Sequence, residues 1–227
     1  MLFRSYMNEQ EQWEFVRNWV RQNALWVVAG VALAAGGLWG WQAFQAHKEA
    51  ELLAAGEQYQ KLIDAFGKND RPTVLALADK LSIDHPHTGY AEQGQLAAAR
   101  MQVENNELAA AQARLTQVRD STSDPELALV VRMRIARLQI EQHQADAALA
   151  TLAAAEPGAF AARFAEVRGD ALLAKGDRDG ALKAYREAQG NTAAAGNAEA
   201  QGNSSAPPNG PGGDDLLALK INELTHS

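Results

Sequence analysis

A long run without charge constrains this chain more than any other feature. From Gln22 to His47 there is no Asp, Glu, Lys or Arg, and residues 24–44 read ALWVVAGVALAAGGLWGWQAF. At about 1.5 Å per residue, a helix of this length covers the roughly 30 Å of hydrocarbon in a bilayer. A buried soluble helix rarely runs this long without charge, and no convincing small-x-small cleavage site follows the run. The sequence therefore predicts an uncleaved transmembrane helix over residues 24–44.

Tryptophans mark both ends of this predicted span, as is typical of side chains that anchor a helix at the membrane interface. They are Trp19, Trp26, Trp39 and Trp41. Gly36 and Gly40 form a Gly-x-x-x-Gly pair, which would let a second helix approach closely. Small residues are also common in membrane helices generally, so the pattern leaves both interpretations open.

Flanking charges give a weak indication of orientation. The side before the span carries Arg4, Arg17 and Arg21, and the side after it carries Lys48 and Lys61. Positive charge favours the cytoplasmic side, although long domains can cross regardless of it. The pattern leans towards a cytoplasmic N-terminus and a C-terminal domain on the outer side of the membrane.

Residues 1–23 are interpreted as a cytoplasmic amphipathic segment. Asn8 with Glu11 resembles a helix N-cap and its capping box, and Trp13, Val16 and Val20 follow on one face. Such a helix can lie at the membrane surface or continue straight into the span. The sequence does not separate these two arrangements.

Charge and cysteine content exclude several classes of function. The chain of 227 residues has 21 Lys and Arg against 28 Asp and Glu, a net charge of −7. A binder of nucleic acid needs clustered positive charge, so the balance argues against that partner. There is no cysteine, which excludes disulfides, thiolate nucleophiles and Cys-ligated zinc. Aromatic residues make up only 7%, and about a fifth of the chain is alanine, which favours close-packed helices over sheets.

Comparison of the chain with itself reveals a repeat of about 34 residues. Small residues at 99, 136 and 169 are each followed by a turn-tolerant residue after seven positions, by alanine after twelve and by a large apolar residue after sixteen. The three sets are Ala99, Asn106, Ala111 and Leu115; Ala136, His143, Ala148 and Leu152; and Gly169, Gly176, Ala181 and Tyr185. This period and these offsets are typical of helix–turn–helix repeats of the tetratricopeptide type. The fold class is therefore all-α: one transmembrane helix and then a tetratricopeptide-like α-solenoid over residues 45–227.

The regions around the three repeats complete this architecture. Lys48–Phe66 is predicted to continue the helix of the span, and a second helix opening at Pro72 ends before His85-Pro86 to form a degenerate first hairpin. Residues 190–213 are rich in Gly, Asn, Ala, Ser and Pro, and we interpret them as a flexible insertion. Residues 214–224 are predicted to form a capping helix with one apolar stripe. The stripe consists of Leu217, Ile221 and Leu224.

Motifs for catalysis or for cofactor and metal binding are missing from the sequence, and we expect none of these activities. His85-Pro86-His87 presents two imidazoles, too few for a convincing metal site. Residues 176–180, GDRDG, resemble part of a calcium loop, but they are better explained as a hairpin turn with Asp177 as the helix cap.

The repeats offer a surface for binding polypeptide instead. The inner faces of the hairpins are predicted to carry apolar and charged side chains that suit extended or helical segments. The candidate groove residues are Leu96, Arg100, Val103, Met133, Arg137, Ile140, Arg163, Glu166 and Leu173. Ordinary lining residues without a ligand are an equally simple interpretation.

The order of these features resembles the YfgM family, the ancillary subunits of the bacterial SecYEG translocon. The resemblance covers nearly the whole chain and is carried by residues 9–23 with the span and Gly40-Trp41, by residues 138–152, LQIEQHQADAALATL, by residues 167–181, VRGDALLAKGDRDGA, and by residues 219–224. Residues 1–6 precede the usual start of the family, so Met7 is an alternative initiator to Met1. The segment 190–213 is longer than the family norm.

The resemblance implies a single-pass protein of the bacterial inner membrane with its repeat domain in the periplasm. It also implies association with SecYEG and with a PpiD-type periplasmic chaperone, and handover of unfolded secretory polypeptides, without enzymatic activity. The alternative that we retain is an envelope scaffold that never contacts translocating chains.

Overall fold

The computed structural model describes Arg17, Trp19, residues 21–200 and residues 213–226. Asn8, Glu11, Trp13, Val16 and Val20 of the predicted amphipathic segment lie outside the described residues, as do residues 201–212. The described part is helical apart from turns and one 3₁₀ turn at Gly158–Phe160. Its helices are α1 Ala24–Gly67, α2 Arg71–Asp84, α3 Gly89–Glu104, α4 Leu108–Ser121, α5 Pro125–Glu141, α6 Ala145–Ala153, α7 Ala161–Ala174, α8 Arg178–Ala200 and α9 Gly213–His226.

The chain divides into two compact units, Met1–Ala54 and Ala55–Ser227, and the division falls within α1. In the first unit, α1 provides one helix that is long and apolar enough to cross a membrane. Its apolar side chains are exposed, as expected for a surface that faces lipid: Trp26 is 77% exposed and Trp39 is 76% exposed. The prediction that the span continues as one helix to Phe66 is confirmed, since α1 ends at Gly67.

The second unit is a stack of four helical hairpins closed by a single helix. Each of its four apolar clusters is built from both helices of one hairpin and from the first helix of the next element. One hairpin therefore cannot bury its apolar residues alone, which is the physical basis of a solenoid. The predicted repeat positions other than the turn residues are in this core: Ala111, Ala148 and Ala181 are 0% exposed.

One turn joins the two helices of each hairpin, and the four turns have the same geometry. In each turn one residue adopts positive φ, and the next residue donates its backbone N–H to a carbonyl five positions earlier, as in a Schellman motif. The residues with positive φ are Asn69, Asn106, His143 and Gly176. Three of them are the turn-tolerant residues of the sequence repeat, and Asn69 extends the pattern to the first hairpin.

Helix starts follow their sequence signals. Asp124 accepts hydrogen bonds from the N–H groups of Glu126 and Leu127 at 2.9 and 3.2 Å, with Pro125 as the first helical residue of α5. Asp177 Oδ1 accepts the N–H of Gly180 at 2.9 Å, as predicted for a residue that caps the start of α8.

The last hairpin differs from expectation at its C-terminal end. Helix α8 continues to Ala200, although the sequence analysis placed the start of a flexible insertion at Gly190. Alanine supplies five of the nine residues from Thr192 to Ala200, and its high helix propensity offsets the glycine among them. A composition rich in Gly, Asn, Ala, Ser and Pro predicts a flexible segment, but a helix needs no large apolar side chains to continue.

Helix α9 covers the exposed end of the stack, as predicted. Leu217 is 4% exposed, and Ile221 and Leu224 pack beside it on the cluster that contains Ala165 and Tyr185. Helix α9 makes the contacts that the first helix of a further hairpin would make, and it therefore takes the place of that helix.

Candidate binding groove

The positive-φ turn residues provide a common register for the first helix of every hairpin. Positions three, six and ten residues before the turn are separated by three and four residues, so they share one helix face. We call these positions the first-helix stripe and divide it into three rows. The apolar row is Phe66, Val103, Ile140 and Leu173; the central row is Ile63, Arg100, Arg137 and Asp170; the outer row is Tyr59, Leu96, Met133 and Glu166.

The apolar row keeps its character in all four hairpins and remains accessible to solvent. Val103 is 38% exposed and Leu173 is 40% exposed, while Phe66 and Ile140 are half-buried against the core clusters behind them. Side chains that touch both the core and water can bind an apolar partner with little rearrangement. This row is the part of the stripe best suited to an apolar ligand.

The central row changes from apolar to basic to acidic along the stack. Arg100 Nε donates to Glu104 Oε1 at 2.9 Å, and its guanidinium lies 5.3 Å from the centre of the Phe66 ring. Arg137 is exposed and makes no ion pair within the described ranges. Asp170 accepts hydrogen bonds from the Tyr185 hydroxyl at 2.7 Å and from Lys220 Nζ at 2.8 Å.

The outer row corrects one predicted groove residue. Met133 is only 4% exposed and belongs to the core cluster beneath α5 and α7, so it cannot contact a ligand in the groove. Leu96 is half-buried against the neighbouring cluster. Glu166 is accessible in part, but Lys220 Nζ lies 2.9 Å from its Oε1. The unbranched side chain of Met133 fills the gap between neighbouring first helices, a use of methionine that periodicity cannot distinguish from exposure.

The common register also places one predicted groove residue, Arg163, outside the first-helix stripe and adds four residues to the stripe. Arg163 lies thirteen residues before Gly176, one turn outside the three rows, and is half-buried. Asp170, the equivalent of Arg100 and Arg137, was not predicted from the sequence. Tyr59, Ile63 and Phe66 of the first hairpin were not predicted either. The signal was present in Asn69, which stands at the same offset from these residues as Asn106 does from Leu96, Arg100 and Val103.

A second arginine accompanies Arg137 on the exposed face of α5. Arg134 precedes it by three residues, so the two guanidinium groups lie on neighbouring turns of one face. Burial lowers the pKa of Arg134 from its ordinary value, and the positive charge of Arg137 lowers it further. The face therefore carries two like charges side by side.

Buried glutamines hold the second hairpin against the first. Gln95 Nε2 donates to the Ala78 carbonyl at 2.9 Å and to Ser82 Oγ at 2.6 Å, and its Oε1 accepts from Arg114. Arg114 also donates to Gln102 Oε1 at 3.2 Å. Gln102 and the equivalent Gln139 replace an aromatic residue common at this position in such repeats. Their burial is accounted for because each amide oxygen has a donor on the second helix of its own hairpin.

Known proteins match this chain over most of its length. The family described as a tetratricopeptide repeat-like domain matches residues 17–204. The "Ancillary SecYEG translocon subunit" of Escherichia coli is 36% identical over 180 residues, which cover 79% of this chain and 86% of the relative. Proteins with the same name from Haemophilus influenzae and Aggregatibacter actinomycetemcomitans are 28% and 27% identical, covering 81% and 83% of this chain and 89% and 92% of the relatives. The chain belongs to the YfgM family of ancillary translocon subunits.

The matched residues 17–204 include the described apolar helix and all four hairpins, whereas α9 lies beyond them. Helix α9 is nevertheless tied closely to the stripe through Lys220, which bridges Glu166 and Asp170. Burial lowers the pKa of Lys220, but the hydrogen bonds that it donates to Asp170 and Glu166 outweigh this effect, and the net shift of the pKa is upward.

The histidine pair shows no sign of a metal site. His85 caps the C-terminus of α2 through its backbone N–H, and its carbonyl accepts from Thr88, while the side chain of His87 is exposed. Among the residues that the structure describes, no three His, Asp or Glu side chains lie together as metal ligands.

Proposed function

We propose that this YfgM-family chain is a membrane-anchored adaptor of the SecYEG translocon that binds emerging polypeptides in its first-helix stripe. It passes them on to periplasmic chaperones, including a PpiD-type partner. The observation that carries the proposal is the family relationship, which runs from the apolar helix through all four hairpins and includes relatives named as ancillary translocon subunits. The stripe adds an accessible apolar row of the kind that unfolded segments contact.

Anchoring is the physical basis of the proposed mechanism. A weak binding site held beside a channel meets its ligand at a high effective concentration, so modest affinity for unfolded segments is sufficient. The exposed apolar surface of α1 supports an anchor in the bilayer, where its three tryptophans and the preceding Trp19 would lie at the interfaces. Three arginines before the span and two lysines after it support a cytoplasmic N-terminus and a periplasmic repeat domain.

Gly36 and Gly40 remain candidates for contact with another membrane helix. A β-carbon built at either glycine meets no atom within 4 Å among the described residues, so this face of α1 is open. A neighbouring helix of the translocon could therefore approach its backbone closely.

Site-specific crosslinking tests the proposal in the membrane. A photocrosslinking amino acid is placed at Val103 or Leu173, with a control at the exposed Arg186 of α8, and a secretory protein is arrested during export. We expect adducts with the arrested chain from the two stripe positions, weak or no adducts from Arg186, and co-purification of SecYEG. Co-purification of SecYEG without stripe adducts would favour the alternative, an envelope scaffold that never contacts translocating chains.

A reporter fused to the C-terminus tests the topology on which the proposal depends. Alkaline phosphatase, which is active only outside the cytoplasm, should be active on this fusion, whereas a fluorescent protein that folds only in the cytoplasm should stay dark. The reverse pattern would remove the repeat domain from the compartment in which exported chains emerge.

A further inference from the structure

Some charged groups of the first-helix stripe have a partner of opposite charge, and others have none among the described residues. Arg100 is paired with Glu104 at 2.9 Å, and the two carboxylates of α7 share Lys220. On α5 the equivalent pair between Arg137 and Glu141 is absent from the contacts of the described residues, and Arg134 has no acidic partner there either. The middle of the stripe therefore carries uncompensated positive charge.

This local charge has the opposite sign to the chain as a whole. The net charge is −7, so an acidic ligand is repelled at long range but attracted once it lies against α5. Screening limits the long-range repulsion, because the Debye length is about 8 Å at physiological ionic strength. Two neighbouring arginines also repel each other, and a carboxylate between them would remove that repulsion.

Apolar contacts lie one helical turn from these charges. Ile140 follows Arg137 by three residues, and Val103 and Leu173 continue the apolar row on the neighbouring first helices. A segment crossing the first helices would place side chains on the apolar row and backbone or acidic groups beside Arg134 and Arg137. Charge complementarity therefore favours segments with an acidic residue among all the apolar segments that could bind to the apolar row.

We propose that the stripe binds extended polypeptide segments in which an acidic residue lies among apolar residues, with Arg134 and Arg137 holding the carboxylate. This inference rests on the proposed function and specifies its substrate class. Neutral and basic apolar segments bind the same surface more weakly, because they leave the two guanidinium groups without a partner.

Peptide binding to the full-length chain in nanodiscs tests the inference by fluorescence anisotropy. The probe is a labelled peptide of about ten residues, long enough when extended to cross three neighbouring first helices. It contains leucines and two central aspartates, and a matched peptide carries asparagine at those two positions. We expect R134Q/R137Q to weaken binding of the aspartate peptide about tenfold, the size expected for two partly exposed ion pairs. The asparagine peptide should bind wild type and R134Q/R137Q alike.

Two control variants separate failure of this inference from failure of the proposed function. R186Q removes an arginine from the exposed side of α8 and should leave both affinities unchanged. V103S/L173S removes two exposed members of the apolar row and should weaken both peptides, while circular dichroism confirms that the helices remain.

Each outcome has a definite meaning. Equal affinity for the two peptides, or an unchanged affinity in R134Q/R137Q, overturns the selection of acidic segments while leaving the groove intact. Unchanged affinity in V103S/L173S, or no binding of either peptide by the folded chain, overturns the groove and the inference together.

Discussion

At the residue scale, the repeats preserve total volume rather than residue identity. The first and second helices of each hairpin meet at one pair of positions sixteen residues apart, occupied by Ala99 with Leu115 and by Ala136 with Leu152. In the fourth hairpin the larger Tyr185 stands opposite Gly169, and the tyrosine ring lies directly over the glycine. In the first hairpin the order is reversed, because Leu62 stands opposite Ala78 and both are 0% exposed.

Gly169→Ala should destabilise the protein, since a β-carbon at residue 169 would lie only 2.5 Å from Tyr185 Cδ1. Overpacking of this kind lowers the free energy of unfolding by about 1–3 kcal/mol. Chemical denaturation followed by circular dichroism measures the change. The double variant G169A/Y185L recreates the Ala–Leu pair of the other repeats, so its loss should be smaller than the sum of the two single losses. Additive losses would show that the two positions do not share one packing site.

A second residue-scale prediction concerns the turn of the third hairpin. His143 adopts φ 60°, and its side chain is exposed. Because left-handed backbone strains residues with a β-carbon, His143→Gly should raise the free energy of unfolding by about 0.5–1 kcal/mol. Gly176→Ala is the matched control in the next hairpin, at φ 90° with no atom within 4 Å of the added β-carbon, and should act in the opposite direction. The same sign for both variants would contradict the shared turn geometry.

At the element scale, α9 is stabilised by both apolar and charged contacts with the last hairpin. Leu217 enters the core, and Lys220 joins two carboxylates of α7 while lying 5.4 Å from the centre of the Tyr185 ring. Burial raises the pKa of the Tyr185 hydroxyl, and its hydrogen bond to Asp170 raises it further. The neutral tyrosine and the charged lysine therefore share Asp170 across the pH range in which proteins normally fold.

Lys220→Met should lower the free energy of unfolding by about 1–2 kcal/mol at pH 7, because it leaves two half-buried carboxylates without their shared donor. The raised pKa of Lys220 fixes the pH dependence: the contribution of its charge is complete below the ordinary value of 10.5 and is lost as pH rises through the raised value. Denaturation curves between pH 7 and about pH 11.5 should therefore show the difference between variant and wild type narrowing at the alkaline end.

Lys175→Met is the control for this comparison, since Lys175 and Asp146 form an exposed pair 2.6 Å apart. It should leave stability unchanged within error, because such surface pairs contribute little. A loss as large as that of K220M would mean that the pairing itself, and not its half-buried position beside α9, determines the effect.

At the scale of the whole molecule, the two units have opposite relations to solvent. The large apolar side chains described at residues 25, 26 and 28–44 are exposed, whereas the four clusters of the second unit bury theirs within the stack. The requirement for a membrane or detergent should therefore reside in the first unit alone.

A fragment comprising residues 45–227 should be soluble and helical without detergent. The reason is that every apolar cluster of the second unit is completed by residues 55–224. Sedimentation and circular dichroism of the purified fragment measure this, with the full-length chain as the comparison that needs detergent. Aggregation of the fragment would show that the stack is incomplete without residues 1–44.

The sequence by itself determined the properties that depend on local pattern. An uncharged apolar run specifies a helix for a bilayer, and small, turn-forming and large residues at constant offsets specify stacked hairpins, because both follow from helix geometry. Accessibility is different, because it depends on which helices pack together. Periodicity placed Met133 in the groove, but the contact between α5 and α7 buries it.

Pairing of charges was likewise decided by the tertiary structure. Asp170, Glu166 and Lys220 come together only when α9 folds back across 50 residues onto α7, and no local pattern encodes that contact. Arg134 and Arg137 are visible in the sequence as residues, but only the folded stack shows that neither has an acidic partner among the described residues. Composition also misjudged residues 190–200, because alanine continues a helix without needing a core.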